Sequence, residues 1–390
     1  MSSTKRTASE AVSDTAAISK IARGSAADLS PAEVSKIANL LNGTTLAHVS
    51  PSTASDGGAA KRALISASER ASVGDVMKIL QRENISAVLV RVAEPDAADL
   101  EQLAQQLVVP AGTNFLGYVD MLDIMFFLAE TYAANKRKHD HVFVPAELEV
   151  AFQTPISVFI NESRRDPFLA VPASTTLARA CTSLFKFGVH RLPLIVDNVV
   201  CGNASQSDVV RFLHAHLDEL EPLASRSLLE LGLVRSAHEH VHEAKAAAAG
   251  ASDNEDETPA HASVVSVLDN VSVIDALQRM MDESVSGIAI TNINGVVVGS
   301  FSASDLKGMG PKQLFEVDLK LTDMLEFHHR TRDPVTCTLH DSFRTVVDRV
   351  VAARVHRAFV VDGVTKRLTG VVSLTDLISV VAKVAATNEE

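Results

Sequence analysis

Cysteine is scarce in this chain: Cys181, Cys201 and Cys337 are the only three in 390 residues. An odd number without metal-type spacing argues against a disulfide framework and for a reducing compartment. Long apolar runs are missing as well, and no stretch approaches the roughly 18 residues needed to cross a bilayer. The first residues are polar, with Glu10 and Asp14 among them, so a signal or transit peptide is not expected. Positive charge is in deficit, with 36 Lys and Arg against 48 Asp and Glu and a net charge of -12. Phosphate backbones need a basic face, so nucleic acid is excluded as a bulk electrostatic partner. Any phosphate ligand must be held by local cations working against the overall field. No nucleophile elbow, Walker-type phosphate loop or kinase signature occurs, so the chain does not read as an enzyme. The expectation is a soluble, intracellular protein of the cytoplasm or nucleus with no membrane partner.

What the chain does have is a repeat. The pattern Gly-x-apolar-Ser-x-x-Asp spans Gly202 to Asp208, Gly299 to Asp305 and Gly370 to Asp376, with a variant at Gly117 to Asp123. Aligning the chain on those glycines brings the upstream segments into register, which is the test an internal repeat must pass. A β-rich run precedes each glycine: Ser86 to Val90, His190 to Ile195, Ser286 to Ile290 and His356 to Val361. Before each run lies a helical pattern at threefold and fourfold spacing, as in Phe343, Val346, Val347 and Val350. Each unit therefore reads strand, helix, strand, strand, helix, with the last helix starting at the Ser. The fold class is mixed α/β (α+β), and 46% hydrophobic residues suffice for a sizeable core.

On this register repeat one covers about 61–131, with an insert at 94–110. Repeat two covers about 148–218, repeat three about 263–310 and repeat four about 325–385. Residues 1–60, rich in Ser, Thr, Ala and Gly, read as a disordered tail carrying one docking-helix candidate, Ala32 to Leu41, with Pro31 suited to its first turn. Residues 219–262 read as a solvated linker that ends in an acidic low-complexity run, Ala246 to Glu257. One unit has too few strands to close a core alone. The long linker divides the chain, so repeat one is expected to pair with two, and three with four.

Two readings of the repeated turn compete. Ser205 at a helix N-cap puts Asp208 at N3, close to a capping box, and that is the bland account. The functional account uses the same geometry: a helix N-terminus offers free N–H groups and a positive dipole end to an anion, and the adjacent carboxylate can accept from a ribose 2',3'-diol. The preceding Gly would let ligand and backbone approach closely. A second element is His190-Arg191 in repeat two and its counterpart His356-Arg357 in repeat four. A His-Arg pair alone is an ordinary solvated strand start. Its recurrence at one register in alternate repeats points to phosphate contacts, Arg as a bidentate fork and His as a titratable donor. His328, His329, Arg330 and Arg332 precede repeat four as surface residues or as the rest of a phosphate cluster. A formal His-Glu-x-x-His occurs at His238 to His242. It sits in the polar linker with no obvious third ligand, so a solvated helix is the better account and no metal is expected.

The Ser-Leu-Thr-Asp, Ser-Gln-Ser-Asp and Ser-Ala-Ser-Asp turns, with Gly-Val-His-Arg-Leu-Pro and Arg-Val-His-Arg, resemble those of CBS domains. The fourfold arrangement, together with Val355 to Arg357, Gly370 to Asp376, Ser225 to Leu231 and Cys337 to His340, is similar to the γ subunit of AMP-activated protein kinase. The resemblance covers roughly residues 61–385. It implies a disc of two Bateman-type pairs around a central channel, with AMP, ADP or ATP as regulatory ligands in clefts between repeats. It also implies a catalytic α-type kinase subunit and a β-type scaffold as partners. By position, Asp123, Asp208, Asp305 and Asp376 would be the ribose carboxylates. Ser286, His190, Arg191, His356, Arg357 and Arg330 would face phosphates. Ser373 and Thr375 would line the repeat-four cleft, with Ser205 and Ser302 their counterparts. Backbone groups near Thr336 to Thr338 would hold adenine. Departures from the family pattern are Asp208 where animal γ subunits carry a basic residue, which opens a ribose site there, and Ser207 in place of Lys. In repeat one, Asp120 replaces a Ser or Thr and Ser86 replaces an Arg. A four-CBS scaffold that acts through partners, with the turns serving only as helix caps, is the alternative.

Overall fold

The computed structural model describes residues 29–50, 64–92, 114–138, 145–163, 167–197, 199–233, 264–307, 318–331 and 333–386. The insert at 94–110, the acidic run, the His238 to His242 motif and Arg332 lie outside them. Within them the repeat is realised as four three-stranded sheets. Repeat one is β1 (Ser66–Ser68), α2 (Val73–Arg82), β2 (Ala87–Arg91), β3 (Phe115–Asp120) and α3 (Met121–Lys138). Repeat two is β4 (Val171–Pro172), α4 (Leu177–Ser183), β5 (Arg191–Val196), β6 (Val199–Ser205) and α5 (Gln206–Ala215). Repeat three is β7 (Ser266–Leu268), α6 (Val273–Asp282), β8 (Gly287–Thr291) and β9 (Val297–Ser302). Repeat four is β10 (Thr336–Cys337), α7 (Phe343–Ala353), β11 (Arg357–Val361), β12 (Leu368–Ser373) and α8 (Leu374–Ala386). A further helix, α1 (Pro31–Gly43), precedes them all.

In each sheet the first two strands run parallel and the last two antiparallel. The parallel step needs a crossover, which the first helix of the unit supplies. The repeated glycine lies inside the last strand. Gly117, Gly202, Gly299 and Gly370 each stand where the register with the preceding strand shifts. Their shared role is thus a bulge that turns the hairpin. In repeat three the described residues after Ser302 form turns through Lys307, so the expected closing helix is not present among them.

The pairing of repeats is double. Sheets face each other between one and two, where Leu89, Tyr118, Phe168 and Val200 form a small buried cluster. Sheets also meet between three and four, where Val296 bridges to Arg367 and Leu368 N donates to Gly295 O at 3.0 Å. The larger cores run the other way. Helices of repeat one pack on repeat three, with Met77, Leu80, Leu122, Ala276, Leu277 and Met280 in one cluster. Those of two pack on four, with Leu177, Leu213, Val347, Leu377 and Val381 in another. The sequence expectation of pairs one-two and three-four holds for the sheets, while most of the apolar burial joins one to three and two to four. Contacts through both faces close a ring in the order one, two, four, three, in keeping with a disc.

Short lead-in segments lock the sheet pairs by exchange. The first helix of every unit is N-capped by Ser72, Thr176, Ser272 or Ser342. Each cap forms an antiparallel bridge with the lead-in of its sheet partner, namely Pro155, Thr45, Lys320 and Ser227. The first N–H of each helix, which has no intrahelical acceptor, donates across that bridge. Val73 N reaches Thr154 O at 3.0 Å, Leu177 N reaches Thr44 O at 2.8 Å, Val273 N reaches Leu319 O at 3.0 Å and Phe343 N reaches Arg226 O at 2.8 Å.

Two sequence expectations change here. Residues 29–50, assigned to a disordered tail with one docking-helix candidate at Ala32 to Leu41, are folded, and the candidate segment is a helix with Pro31 in its first turn. The helix α1 starts at a capping box formed by Ser30 and Glu33, and its Ile37, Ala38 and Leu41 are buried on repeats two and four. Residues 219–233, assigned to a solvated linker, are also packed, with Leu220, Leu223, Leu228 and Leu231 in the same core. The low-complexity run that follows residues 219–233 concealed the second apolar set.

Candidate functional site

The four turns superpose in register. Ala87 pairs with Asp120, Arg191 with Ser205, Gly287 with Ser302 and Arg357 with Ser373. The residue after each cap donates its N–H to the residue before each strand: Met121 to Ser86 O, Gln206 to His190 O, Ala303 to Ser286 O and Leu374 to His356 O. The His-Arg pairs therefore do lie against the capped turns of their own repeats.

All four turn carboxylates are buried: Asp123, Asp208, Asp305 and Asp376 are between 1% and 6% exposed. Each is held by the cap. Asp208 Oδ2 accepts from Ser205 N at 2.8 Å and Ser205 Oγ at 2.6 Å. Asp305 Oδ2 accepts from Ser302 N at 2.8 Å and Oγ at 2.9 Å. Asp376 Oδ2 accepts from Ser373 N at 2.7 Å and Oγ at 2.6 Å. In repeat one Asp120 takes the Ser role, as expected: Asp120 Oδ1 accepts from Asp123 N at 2.9 Å, while Asp123 Oδ2 accepts from Asp120 N at 2.7 Å. The bland reading thus holds in every copy, and a ribose would have to compete for the other oxygen of each carboxylate. For Asp123 that oxygen accepts from Ser163 N at 2.7 Å. Burial, and then the neighbouring Asp120, push the Asp123 carboxyl well above its ordinary range. A second acid beside it disfavours a phosphate, so repeat one is the poorest of the four turns.

Arg357 reaches out of its own repeat. Its guanidinium donates to Ser286 Oγ and Gly287 O of repeat three. Gly287 permits this: a Cβ there would meet Arg357 Cζ at 3.0 Å, Ser302 Cβ at 2.8 Å and Phe301 O at 3.0 Å. Arg330 donates to Lys307 O at 2.6 Å, just beyond the Ser302–Asp305 turn. Ser286, Ser302, Asp305, Arg330 and Arg357 are thus gathered at the repeat-three end of the three-four pair. Arg191, the counterpart of Arg357 in repeat two, likewise crosses to its sheet partner and stands 5.9 Å from the centre of the Tyr118 ring.

Other expected residues have different neighbours. Thr375, assigned to the repeat-four cleft, contacts repeat two: Gln206 Nε2 donates to its hydroxyl at 3.0 Å, and the hydroxyl donates back to Gln206 Oε1 at 3.3 Å. The physical reason is that buried Gln206 must satisfy its amide, which it does with Phe185 O, Val189 O and Thr375. The groups assigned to adenine are engaged locally. Thr336 O accepts from Arg349 at 2.9 Å, and Thr338 gives its N–H to Asp341 at 2.7 Å. Sequence reasoning missed Gln206, and it missed Arg211, which pairs with Asp208. For Arg211 the signal was present as a cation three residues after the turn carboxylate. For Gln206 there was none, because Phe185 O and Val189 O of its own repeat and Thr375 of repeat four meet it only in the folded chain.

No helix among the described residues is long and apolar enough to cross a membrane. Among the same residues no group of His, Cys, Asp or Glu could hold a metal ion.

The CBS domain model matches residues 163–215, 260–309 and 327–383, and the unit built on β1 to β3 repeats the same topology. The chain is a CBS-domain protein. The three matches fall on repeats two, three and four; repeat one, with its Asp-x-x-Asp turn, belongs by its fold. Its CBS repeats are similar to those of the Arabidopsis thaliana SNF1-related protein kinase regulatory subunit gamma-like PV42b, at 25% identity over 367 residues, 82% of this chain and 92% of that protein. They are similar too to the Bos taurus 5'-AMP-activated protein kinase subunit gamma-3, at 26% identity over 219 residues, 54% of this chain and 39% of that subunit. A Methanocaldococcus jannaschii protein described as an archaeal homologue of g-AMPK has the same four-repeat fold. The two superpose with a TM-score of 0.58 at 13% identity, over 86% of this chain and 99% of the archaeal one. Four CBS repeats in the arrangement of that structure are thus the fold of this chain.

Proposed function

We propose that the chain is a non-catalytic regulatory subunit that binds AMP, ADP or ATP in its CBS clefts and passes their occupancy to a protein kinase of the AMP-activated type. Its partners are then an α-type catalytic subunit and a β-type scaffold, in the cytoplasm or the nucleus. One observation carries this reading: a cation from repeat four, Arg357, meets the Ser286 hydroxyl beside the Ser302–Asp305 turn of repeat three. A capped turn supplies a carboxylate for ribose, and the guanidinium supplies the positive end for phosphate, against a net charge of -12.

Repeat four adds Ser373, Asp376 and His356, and repeat two adds Ser205, Asp208 and His190. A phosphate that draws Arg357 from Ser286 loosens a contact between repeats three and four. Ligands that share adenosine but differ in phosphate number bind the two states unequally, and that difference is what biases a partner. Isothermal titration of the purified chain with AMP, ADP and ATP tests the reading, and absence of binding at millimolar ligand would refute it. The satisfied state of Thr336, Thr338 and the cap oxygens favours a second reading, a CBS scaffold that acts through partners without sensing nucleotides. Affinity purification separates the two: recovery of a kinase catalytic subunit with a β-type scaffold supports the first.

A further inference from the structure

The position that follows each cap is equivalent in the four repeats, and it holds Met121, Gln206, Ala303 and Leu374. Three of these are apolar, and Met121 and Leu374 are buried in the helix cores. Gln206 is buried as they are, at 4% exposed, yet it carries an amide. A buried amide costs free energy unless its protons and its oxygen find partners. Phe185 O and Val189 O can only accept, at 3.2 and 2.9 Å, so the NH2 end of the amide faces them. The Thr375 hydroxyl can both accept and donate, and it alone of the three can serve Oε1, at 3.3 Å. The backbone N–H of Gln206 donates to His190 O at 3.0 Å. One residue thus holds the carbonyls of Val189 and His190 at the strand entry of repeat two. The other end of its amide reaches the first turn of α8 in repeat four, one residue before Asp376. A buried polar network whose groups are engaged in this way rigidifies what it joins.

We propose that Gln206 is a positioning residue of the repeat-four nucleotide turn. It acts through Thr375: by fixing that hydroxyl from repeat two, it holds the first turn of α8, with Ser373 and Asp376, in one frame with the His190-Arg191 strand entry. A nucleotide bound at the repeat-four turn then depends on a side chain that belongs to repeat two, and the two repeats are coupled where their helices pack. At the packing of one on three the matching residues are Met121 and Ala303, which have no side-chain hydrogen bond to give, so the tie is confined to one side of the ring. The inference rests on the nucleotide-binding reading above.

Calorimetric titration of the full chain with AMP tests it, read at the binding step that Asp376→Ala weakens. Gln206→Met is close in length and is the residue type repeat one carries there; Thr375→Val keeps the shape and removes the hydroxyl. Each should weaken that step about tenfold, the scale of one hydrogen bond. The double variant should bind no more weakly than Gln206→Met alone, because both changes cut the same link. Thr375→Ser keeps the hydroxyl and should bind as wild type does. Hydrogen exchange of the ligand-free chain gives a second reading that needs no nucleotide: residues 373–377 should exchange faster in Thr375→Val than in wild type or Thr375→Ser. That reading also serves if Gln206→Met does not fold, since Thr375→Val leaves the Phe185 and Val189 contacts in place. The inference is overturned if Thr375→Val exchanges as wild type does, if the losses add in the double variant, or if Thr375→Ser binds as weakly as Thr375→Val. Should wild type bind no AMP, the nucleotide reading falls and takes this one with it; unchanged exchange in a chain that binds AMP removes this one alone.

Discussion

The Arg357 guanidinium of repeat four donates to the Ser286 hydroxyl of repeat three, crossing between two sheets that lie far apart in sequence. The adjoining carbonyl of Gly287 accepts from the same group. The contact depends on the absence of a side chain at Gly287, where Arg357, Ser302 and the Phe301 carbonyl all crowd the space a Cβ would fill.

Gly287→Ala should therefore destabilise the protein by about 1–3 kcal/mol, the usual cost of overpacking a site that cannot relax. Backbone from Phe301 and the cap residue Ser302 stand in the way, so the cost persists in an Arg357→Ala background. Urea unfolding of the single and double variants measures both.

The N-terminal helix is core rather than appendage. Leu41 is fully buried against repeats two and four, so Leu41→Ala should cost about 2–5 kcal/mol. A truncation that begins at residue 51, which removes the whole helix, should cost more than Leu41→Ala does. Thermal unfolding followed by circular dichroism distinguishes them.

Asp376 and Asp120 both serve helix caps, but only Asp376 lies in a turn with a single carboxylate. Asp376→Ala should weaken AMP binding more than Asp120→Ala does. Ser373→Ala removes the hydroxyl of the same cap and should cost about 1 kcal/mol of stability. Calorimetric titrations that gave equal losses for the two aspartates would remove the site assignment.

The pH dependence of stability should carry a signature of Asp123. Burial and Asp120 raise its folded pKa above the ordinary 3.8, so the folded protein binds this proton more tightly than the unfolded chain does. The contribution is therefore fully present below pH 3.8 and is lost as pH rises through the raised folded value. Asp123→Asn cannot titrate. The stability difference between variant and wild type should move in the variant's favour from pH 4 toward neutrality, by about 1.4 kcal/mol for each unit of raised pKa. Urea midpoints at several pH values read this directly.

The four-unit organisation was legible because each unit repeats the same local demands. A Gly permits the bulge, Ser and Asp close a cap, and an apolar helix stripe precedes the strand. These demands act between residues near in sequence, so they leave a period in the chain. The same logic made Asp120 readable as a cap residue. The packing of α1 and of residues 219–233 was not legible, because Ile37, Leu41, Leu223 and Leu228 are sparse apolar residues whose partners lie in other repeats.

By itself, the sequence determined the strand, helix, strand, strand order of each repeat and the position of every turn carboxylate, since turn chemistry and periodicity are local. Only the tertiary structure decided that sheets join one to two and three to four while helices join one to three and two to four. It also decided what each carboxylate and cation touches. Thr375 is engaged by Gln206, and Arg357 reaches Ser286, because those partners are brought together only when the ring of repeats closes. Arg211 stands between the two cases: its spacing from Asp208 was written in the chain, and its hold on the carboxylate is a fact of the folded helix.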